Sequence, residues 1–238
     1  MSMSDWSDVS PDEVLDFWFP DDGHWNAPDT HMGFWGHRMR GGVDDEICAR
    51  FRPLAEAAAR GFLDHWDTNP RGRLALVIAL DQFSRSAFRE TPAAFGQDIK
   101  SANLCCAALD DGSFDALPNV WEKQFMLIAI GHAEGPEHLQ RIERTIPKAV
   151  ELVEQAPPHL SEFYLIGADQ SLKAFETIQR FGRHPHRNAV LGRISTPEEE
   201  SYVATGKFPH NRELPEDREQ FTSEIEHIRA RLDRHFNR

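Results

Sequence analysis

Asp81, Arg85 and Arg89 recur every four residues within Leu74-Ala75-Leu76-Val77-Ile78-Ala79-Leu80-Asp81-Gln82-Phe83-Ser84-Arg85-Ser86-Ala87-Phe88-Arg89. At about 100° per residue, that spacing sets them in an arc of about 80° on one helix face. The arc continues the stripe of Leu74 and Ile78, and the residues from Leu74 to Leu80 are all apolar. A helix that is apolar all round is buried all round. The face that points into the core therefore turns charged as the helix proceeds. A carboxylate among guanidinium groups there forms either an internal ion-pair network or the wall of a pocket. In a pocket, Asp81 would move protons, while Arg85, Arg89 and the amide of Gln82 would hold a ligand.

A second chemical stretch is Arg180-Phe181-Gly182-Arg183-His184-Pro185-His186-Arg187-Asn188. As a binding loop, Arg183, Arg187 and Asn188 would converge on an anion, with His186 as a proton carrier. As helix termination, Gly182 caps, Pro185 blocks continuation and the cations complement the helix dipole. His184-Pro185-His186 has a spacing open to metal, but no paired carboxylates stand beside it, so no metal is expected. His132 and Glu134 lie at the end of another helix and add a ligand donor and a third acid–base candidate.

The positioning elements read as helices. Ser10-Pro11-Asp12-Glu13 is a capping box, opening a helix that Pro20-Asp21-Asp22-Gly23 stops. Residues 21–42 read as a long loop whose Trp25, Phe34 and Trp35 pack onto the body. A helix over 43–60 is expected to kink or divide at Pro53. Asn69-Pro70 starts the core helix, with no change of period along it. Thr91-Pro92 opens a helix ending at Gly112, its core face drawn from Phe95, Ile99, Leu104 and Ala108. Leu117-Pro118 opens the next. Further helices run over 137–156, with Pro147 as a kink or boundary, and over 160–182. Ser195-Thr196-Pro197-Glu198 restarts helix after a non-periodic stretch, and the run 198–200 of glutamates reads as a solvated first turn. Residues 206–215 read as loop. An amphipathic helix over 216–236 has Phe221, Ile225, Ile228, Leu232 and Phe236 on one face.

No segment alternates with period two. The expected fold is all-α: a single domain over 1–238 with about nine or ten helices. The chain has 238 residues, 40% of them hydrophobic, and a net charge of −13 with pI about 5.3. That acidity repels nucleic acid and anionic membranes. Three cysteines, Cys48, Cys105 and Cys106, make no disulfide framework and fit a reducing cytoplasm. The N-terminus has no signal-peptide pattern, and no apolar run is long enough to span a bilayer. The six tryptophans read as core and loop anchors. No nucleophile elbow, P-loop or dinucleotide fingerprint occurs, and no cofactor is expected.

The chain resembles the bacterial family of unknown function numbered 924 (DUF924) over about residues 13–208. The resemblance rests on Val14-Leu15-Asp16-Phe17-Trp18-Phe19, Leu63-Asp64-His65-Trp66, Gly72-Arg73-Leu74-Ala75-Leu76 and Leu80-Asp81-Gln82-Phe83. It continues through Arg85, Phe88-Arg89 and Thr91-Pro92. Its longest part is Arg180-Phe181-Gly182-Arg183, Pro185-His186-Arg187-Asn188-Ala189, Leu191-Gly192-Arg193 and Ser195-Thr196-Pro197-Glu198-Glu199. The resemblance implies a tetratricopeptide-repeat-like array of helical hairpins and supplies no function. Two positions depart from the family pattern. Its His-Ser-Glu reads His132-Ala133-Glu134 here, and a His six residues before Arg-Phe-Gly-Arg is Ala174.

A family signature concentrated in polar residues on three elements leads to the expectation that they meet in one polar cleft. Its candidate proton carriers are Asp81, Glu134 and His186. Its candidate ligand donors are Gln82, Arg85, Arg89, His132, Arg183, Arg187 and Asn188. The functional expectation is a small-anion or small-molecule binding protein: either an enzyme acting on a small anionic substrate, with the acid–base groups moving protons, or a non-catalytic binding module for a small anion or an acidic peptide tail. The alternative is a helical scaffold for a protein partner, in which the same polar residues are only structural.

Overall fold

The computed structural model describes residues 6–209 and 218–237. Its helices are α1 (Pro11–Trp18), α2 (Pro28–Met39), α3 (Asp44–Arg50), α4 (Arg52–Ala59), α5 (Pro70–Ile78), α6 (Ser84–Ala87) and α7 (Asp98–Asp111). They continue with α8 (Val120–Gly131), α9 (Leu139–Glu143), α10 (Thr145–Gln155), α11 (Ser161–Phe181), α12 (Pro197–Ala204) and α13 (Arg218–Phe236). Short 3-10 turns link several of them, and no strand occurs among the described residues. The protein is all-α. Three helix pairs are kinked continuations: α3–α4 at Phe51, α5–α6 through Ala79–Phe83, and α9–α10 at Arg144. Counting each as one rod brings the described residues to the expected nine or ten.

Backbone contacts group the chain into two units: Met1–Gly23 with Gly41–Ala133, and His24–Arg40 with Glu134–Arg238. The first is built on α5. Asn69 caps it, its side-chain oxygen accepting from Gly72 N at 2.9 Å, and Pro70 occupies the first turn, where no backbone donor is needed. Leu74 through Leu80 are all buried, each large side chain contributing about 1.5–3 kcal/mol over its exposed state. α1 packs on α5 through Val14, Leu15 and Trp18. Phe83 stacks on Phe51 at 4.8 Å, and Trp18 meets Phe125 edge-on at 5.5 Å. Pro53 lies in the first turn of α4, which accounts for the break from α3.

The core face of α7 differs from expectation. Asp98, Ser101, Ala102, Cys105, Cys106 and Ala108 are buried, whereas Ile99 is 54% exposed. The face that turns inward is the one whose Asp98 pairs with Arg85 at 2.9 Å. Trp18, Trp35 and Trp66 are buried anchors.

In the second unit, most of the expected 21–42 loop is helical. A 3-10 turn at His24–Asn26 leads into α2, with Pro28 and Asp29 in its first turn. Gly33 and Gly36 hide the helix from a propensity reading, while His31 and Trp35, four apart, bury one face. α10 and α11 are joined through the short segment 156–160 and pack on each other. Tyr164, Ile166, Leu172 and Ile178 are buried on α11. α13 docks on α11 with Ile225, Ile228 and Leu232 buried, but Phe236, expected on that face, is 53% exposed. Arg231 anchors the docking to Asp169 and Glu176, and Lys173 reaches Asp169 at 2.7 Å. Of the 206–215 loop, residues 210–215 lie outside the described residues, as do 216 and 217 of the last helix. No helix among the described residues is long and apolar enough to cross a membrane.

Candidate functional site

The core helix does change period. Ala79–Phe83 form a π-helical turn between α5 and α6, and Ser84 Oγ donates back five residues to Ala79 O at 3.4 Å. Such turns are rare and concentrate at functional sites. The wider turn rotates the α6 end of the rod relative to α5. Asp81 and Arg85 stay together, with Arg85 Nη1 3.5 Å from Asp81 Oδ1. Arg89 lies past the end of α6 and pairs with Asp44 at the start of α3 instead.

Asp81 is 1% exposed and is the centre of the first unit's polar cluster. Its Oδ1 accepts from His132 Nδ1 at 2.7 Å, and its Oδ2 accepts from Gln82 Nε2 at 2.6 Å. A carboxylate only accepts, so the proton of this bond belongs to Nδ1 and neutral His132 carries its lone pair on Nε2. His132 is 4% exposed and caps the C-terminus of α8, where the helix dipole favours the imidazolium. Arg85 Nη2 bonds Asp98 Oδ1 on α7 at 2.9 Å, and Nη1 bonds Ala94 O at 3.0 Å. Burial opposes the charge of Arg85, but Asp81 and Asp98 outweigh it and hold the guanidinium above its ordinary range. Arg85 is thus shared between two acids. Sequence reasoning misses Asp98. The one signal for it is the need for acids to balance Arg85 and Arg89.

Cys105 on α7 is within electrostatic range of this cluster. Burial, then Asp81 and Cys106, push its thiol far above the ordinary range, so it stays neutral and is a poor nucleophile. Its Sγ lies 3.6 Å from Met126 Sδ. Ala133 and Ala174, the two departures from the family pattern, are both buried.

The second unit holds the 183–188 loop. Gly182 ends α11 in the left-handed region, φ 67°, and its N–H donates to Ile178 O at 2.8 Å. Arg183 makes a bidentate pair with Glu199, at 2.6 and 2.8 Å. Glu199 also completes a capping box with Thr196 at the start of α12. It is 3% exposed, not solvated as the glutamate run suggested. The hydrogen bonds from Arg183 lead the causes that lower its carboxyl to about 2. Glu134 accepts from Arg193 Nη1 and Nη2 at 2.7 and 3.1 Å and from the His184 backbone N–H at 2.8 Å. Burial works against its charge, yet the Arg193 bonds, the nearby Arg187 and the His184 N–H lower its carboxyl overall. Glu134 therefore staples the loop as an anion.

Arg187, 2% exposed, sits on the 3-10 turn Pro185–Arg187. Asn188, 1% exposed, donates from Nδ2 to Ser195 Oγ at 2.9 Å, while its Oδ1 is buried with no hydrogen-bond partner among the described residues. His186 stacks on Phe208 at 4.7 Å. Among the described residues, no group of three or more His, Cys, Asp or Glu is placed to hold a metal ion.

A further cluster in this unit escapes a sequence reading that takes its segment as loop. His24 Nδ1 and His31 Nδ1 lie 3.0 Å apart, and His31 Nε2 lies 3.1 Å from Tyr164 OH. Burial is the main reason that the His31 imidazole is lowered to about 3, with His24 and His159 adding to it. His24 stacks on Phe34 at 3.8 Å.

A model of the bacterial proteins of unknown function DUF924 matches residues 14–207. A solved structure of a protein of unknown function from Agrobacterium tumefaciens, ATU0120, is similar at 29% identity with a TM-score of 0.60, covering 82% of this chain and 97% of that one. No curated protein matches the chain. The family match takes in the π-turn, His132, Glu134 and the whole 183–199 segment, and the chain belongs to the DUF924 family.

Proposed function

We propose that the protein is an enzyme for a small polar molecule, with the Asp81–His132 pair as its acid–base group. The observation that carries this reading is the 2.7 Å bond between two buried side chains, which fixes the imidazole tautomer. Asp81 orients the ring and stabilises its protonated form. Nε2 takes or gives the proton. Gln82 holds the second carboxylate oxygen, and Arg85 positions the cluster without itself being an anion clamp, because Asp98 and Ala94 O already engage its fork.

A second reading concerns the 183–188 loop on its own. Arg187 and Asn188, both nearly fully buried on a short turn, favour binding of a small carboxylate, phosphate or sulfate. Arg183 and Glu134 support that loop through Glu199 and Arg193. The packing of α10 on α11 supports the tetratricopeptide-like description. Three cysteines with no disulfide among the described residues support a cytoplasmic location.

The test is conversion. Wild-type protein, His132→Gln and Asp81→Asn are incubated with a mixture of small polar metabolites and followed by mass spectrometry. At least one compound should be consumed by the wild type and spared by both variants, each checked as folded by circular dichroism. Equal consumption by His132→Gln, or none by the wild type, removes the acid–base reading and favours the scaffold alternative.

A further inference from the structure

We propose that Asp98 is a positioning residue for the Asp81–His132 pair: it draws the Arg85 guanidinium toward α7 and leaves the Asp81 carboxylate to the imidazole. The distances order the competition. Arg85 is 2.9 Å from Asp98 Oδ1 and 3.0 Å from Ala94 O, but 3.5 Å from Asp81 Oδ1. The same Oδ1 is 2.7 Å from His132 Nδ1. One carboxylate oxygen thus faces two donors, the imidazole N–H and the guanidinium, and the nearer is the imidazole. Asp98 is buried beside Arg85, so their attraction is little screened by solvent.

Removing the Asp98 charge lets the Arg85 fork close on Asp81. The carboxylate is then shared with a permanent cation, and the imidazolium loses part of its stabilisation. The proton affinity of His132 therefore falls. Several ionisable groups on the helices packed around the pair have partners of their own away from it. Arg71 pairs with Glu122, Arg73 with Asp67 and Asp111, and Lys100 with Asp64. The Lys123 ammonium lies over the Phe114 ring, and the Cys105 thiol is neutral.

This inference rests on the acid–base reading of the pair, but its test uses no substrate, so the two fail separately. The His132 ring is titrated by NMR in histidine-labelled protein, with His132→Gln for assignment. Asp98→Asn should lower the His132 midpoint by about one unit, a tenfold loss of proton affinity. In an Arg85→Gln background the same substitution should leave the midpoint unmoved, because the effect runs through Arg85. An equal fall in both backgrounds would mean that Asp98 acts directly through space, and no fall in either would mean that it does not act at all. Both results overturn the proposal. If Arg85→Gln does not fold, the Nδ1–H resonance decides. It should move upfield in Asp98→Asn as Asp81 turns to Arg85, and an unmoved resonance overturns the proposal.

Discussion

His132 Nδ1 donates to Asp81 Oδ1 across 51 positions of sequence, tying the end of α8 to the π-turn at the end of α5. Both groups are buried, so the pair is a structural tie whatever protons it moves. Asp81→Ala is expected to cost about 3 kcal/mol in a denaturant titration, since it strands a buried imidazole and removes one of the two acids on Arg85. Asp98 still compensates the guanidinium, which keeps the cost from rising further. A loss below about 1 kcal/mol would reduce the cluster to a weak, solvent-screened pair.

Glu134 and Glu199 make the second unit sensitive to acid. Both carboxyls are lowered in the folded state, Glu199 to about 2. A lowered carboxyl contributes stability that is fully present above its unfolded value, about 4.3, and is lost as pH falls through the folded value. Unfolding of the 183–199 segment should therefore begin below about pH 4.3, with protection of its amides falling toward pH 2. Hydrogen exchange across that segment reads it directly. Glu199→Gln should show low protection already at about pH 7 and a flatter dependence on acid. A mutant profile parallel to that of the wild type would show that another group controls the loss.

The local signals in the chain were legible, and the long-range pairings were not. Asn69-Pro70 and the apolar run through Leu80 announce α5 because a cap and a buried stripe are properties of adjacent residues. The π-turn at Ala79–Phe83 has no such mark: one widened turn depends on what Asp81 and Arg85 meet, not on their own types. Arg183 reads as a cation suited to a helix end, and Glu199 as an acid suited to a helix start. Their bidentate pair appears only in three dimensions, and it takes Glu199 out of solvent. α2 is hidden by Gly33 and Gly36, because its stability comes from burying His31 and Trp35 and not from propensity.

Gly72 marks a close approach that helix propensity alone would not suggest. A Cβ on Gly72 would stand 2.2 Å from the Trp66 backbone carbonyl oxygen. That oxygen belongs to the chain turning into α5, so it cannot rotate away as a side chain would. Alanine is normally the better helix former by about 1 kcal/mol. Here Gly72→Ala is expected to destabilise by about 2 kcal/mol or more, because the first turn must shift against a packed core. Urea unfolding checks the sign: a neutral or stabilising result would mean that the entry into α5 is loose enough to yield.

His31 sets a separate dependence on pH through the second unit. Its ring is fully buried, its Nδ1 faces His24 Nδ1, and its imidazole is lowered to about 3. With both Nδ1 atoms 3.0 Å apart, one must accept while the other donates, so protonating both sets two N–H groups against each other. The unfolded chain takes up this proton near pH 6.5 and the folded chain does not until about pH 3. The unfolded state therefore binds more protons between those values, and stability falls as pH is lowered through that window. From about pH 7 to about pH 4.5 the loss should be about 2–3 kcal/mol from this residue. His31→Gln removes the titrating ring, so its unfolding free energy should start lower at about pH 7 but vary less down to about pH 4.5. A mutant that keeps the full wild-type slope would place the proton uptake on another group and leave the His24–His31–Tyr164 chain as neutral packing.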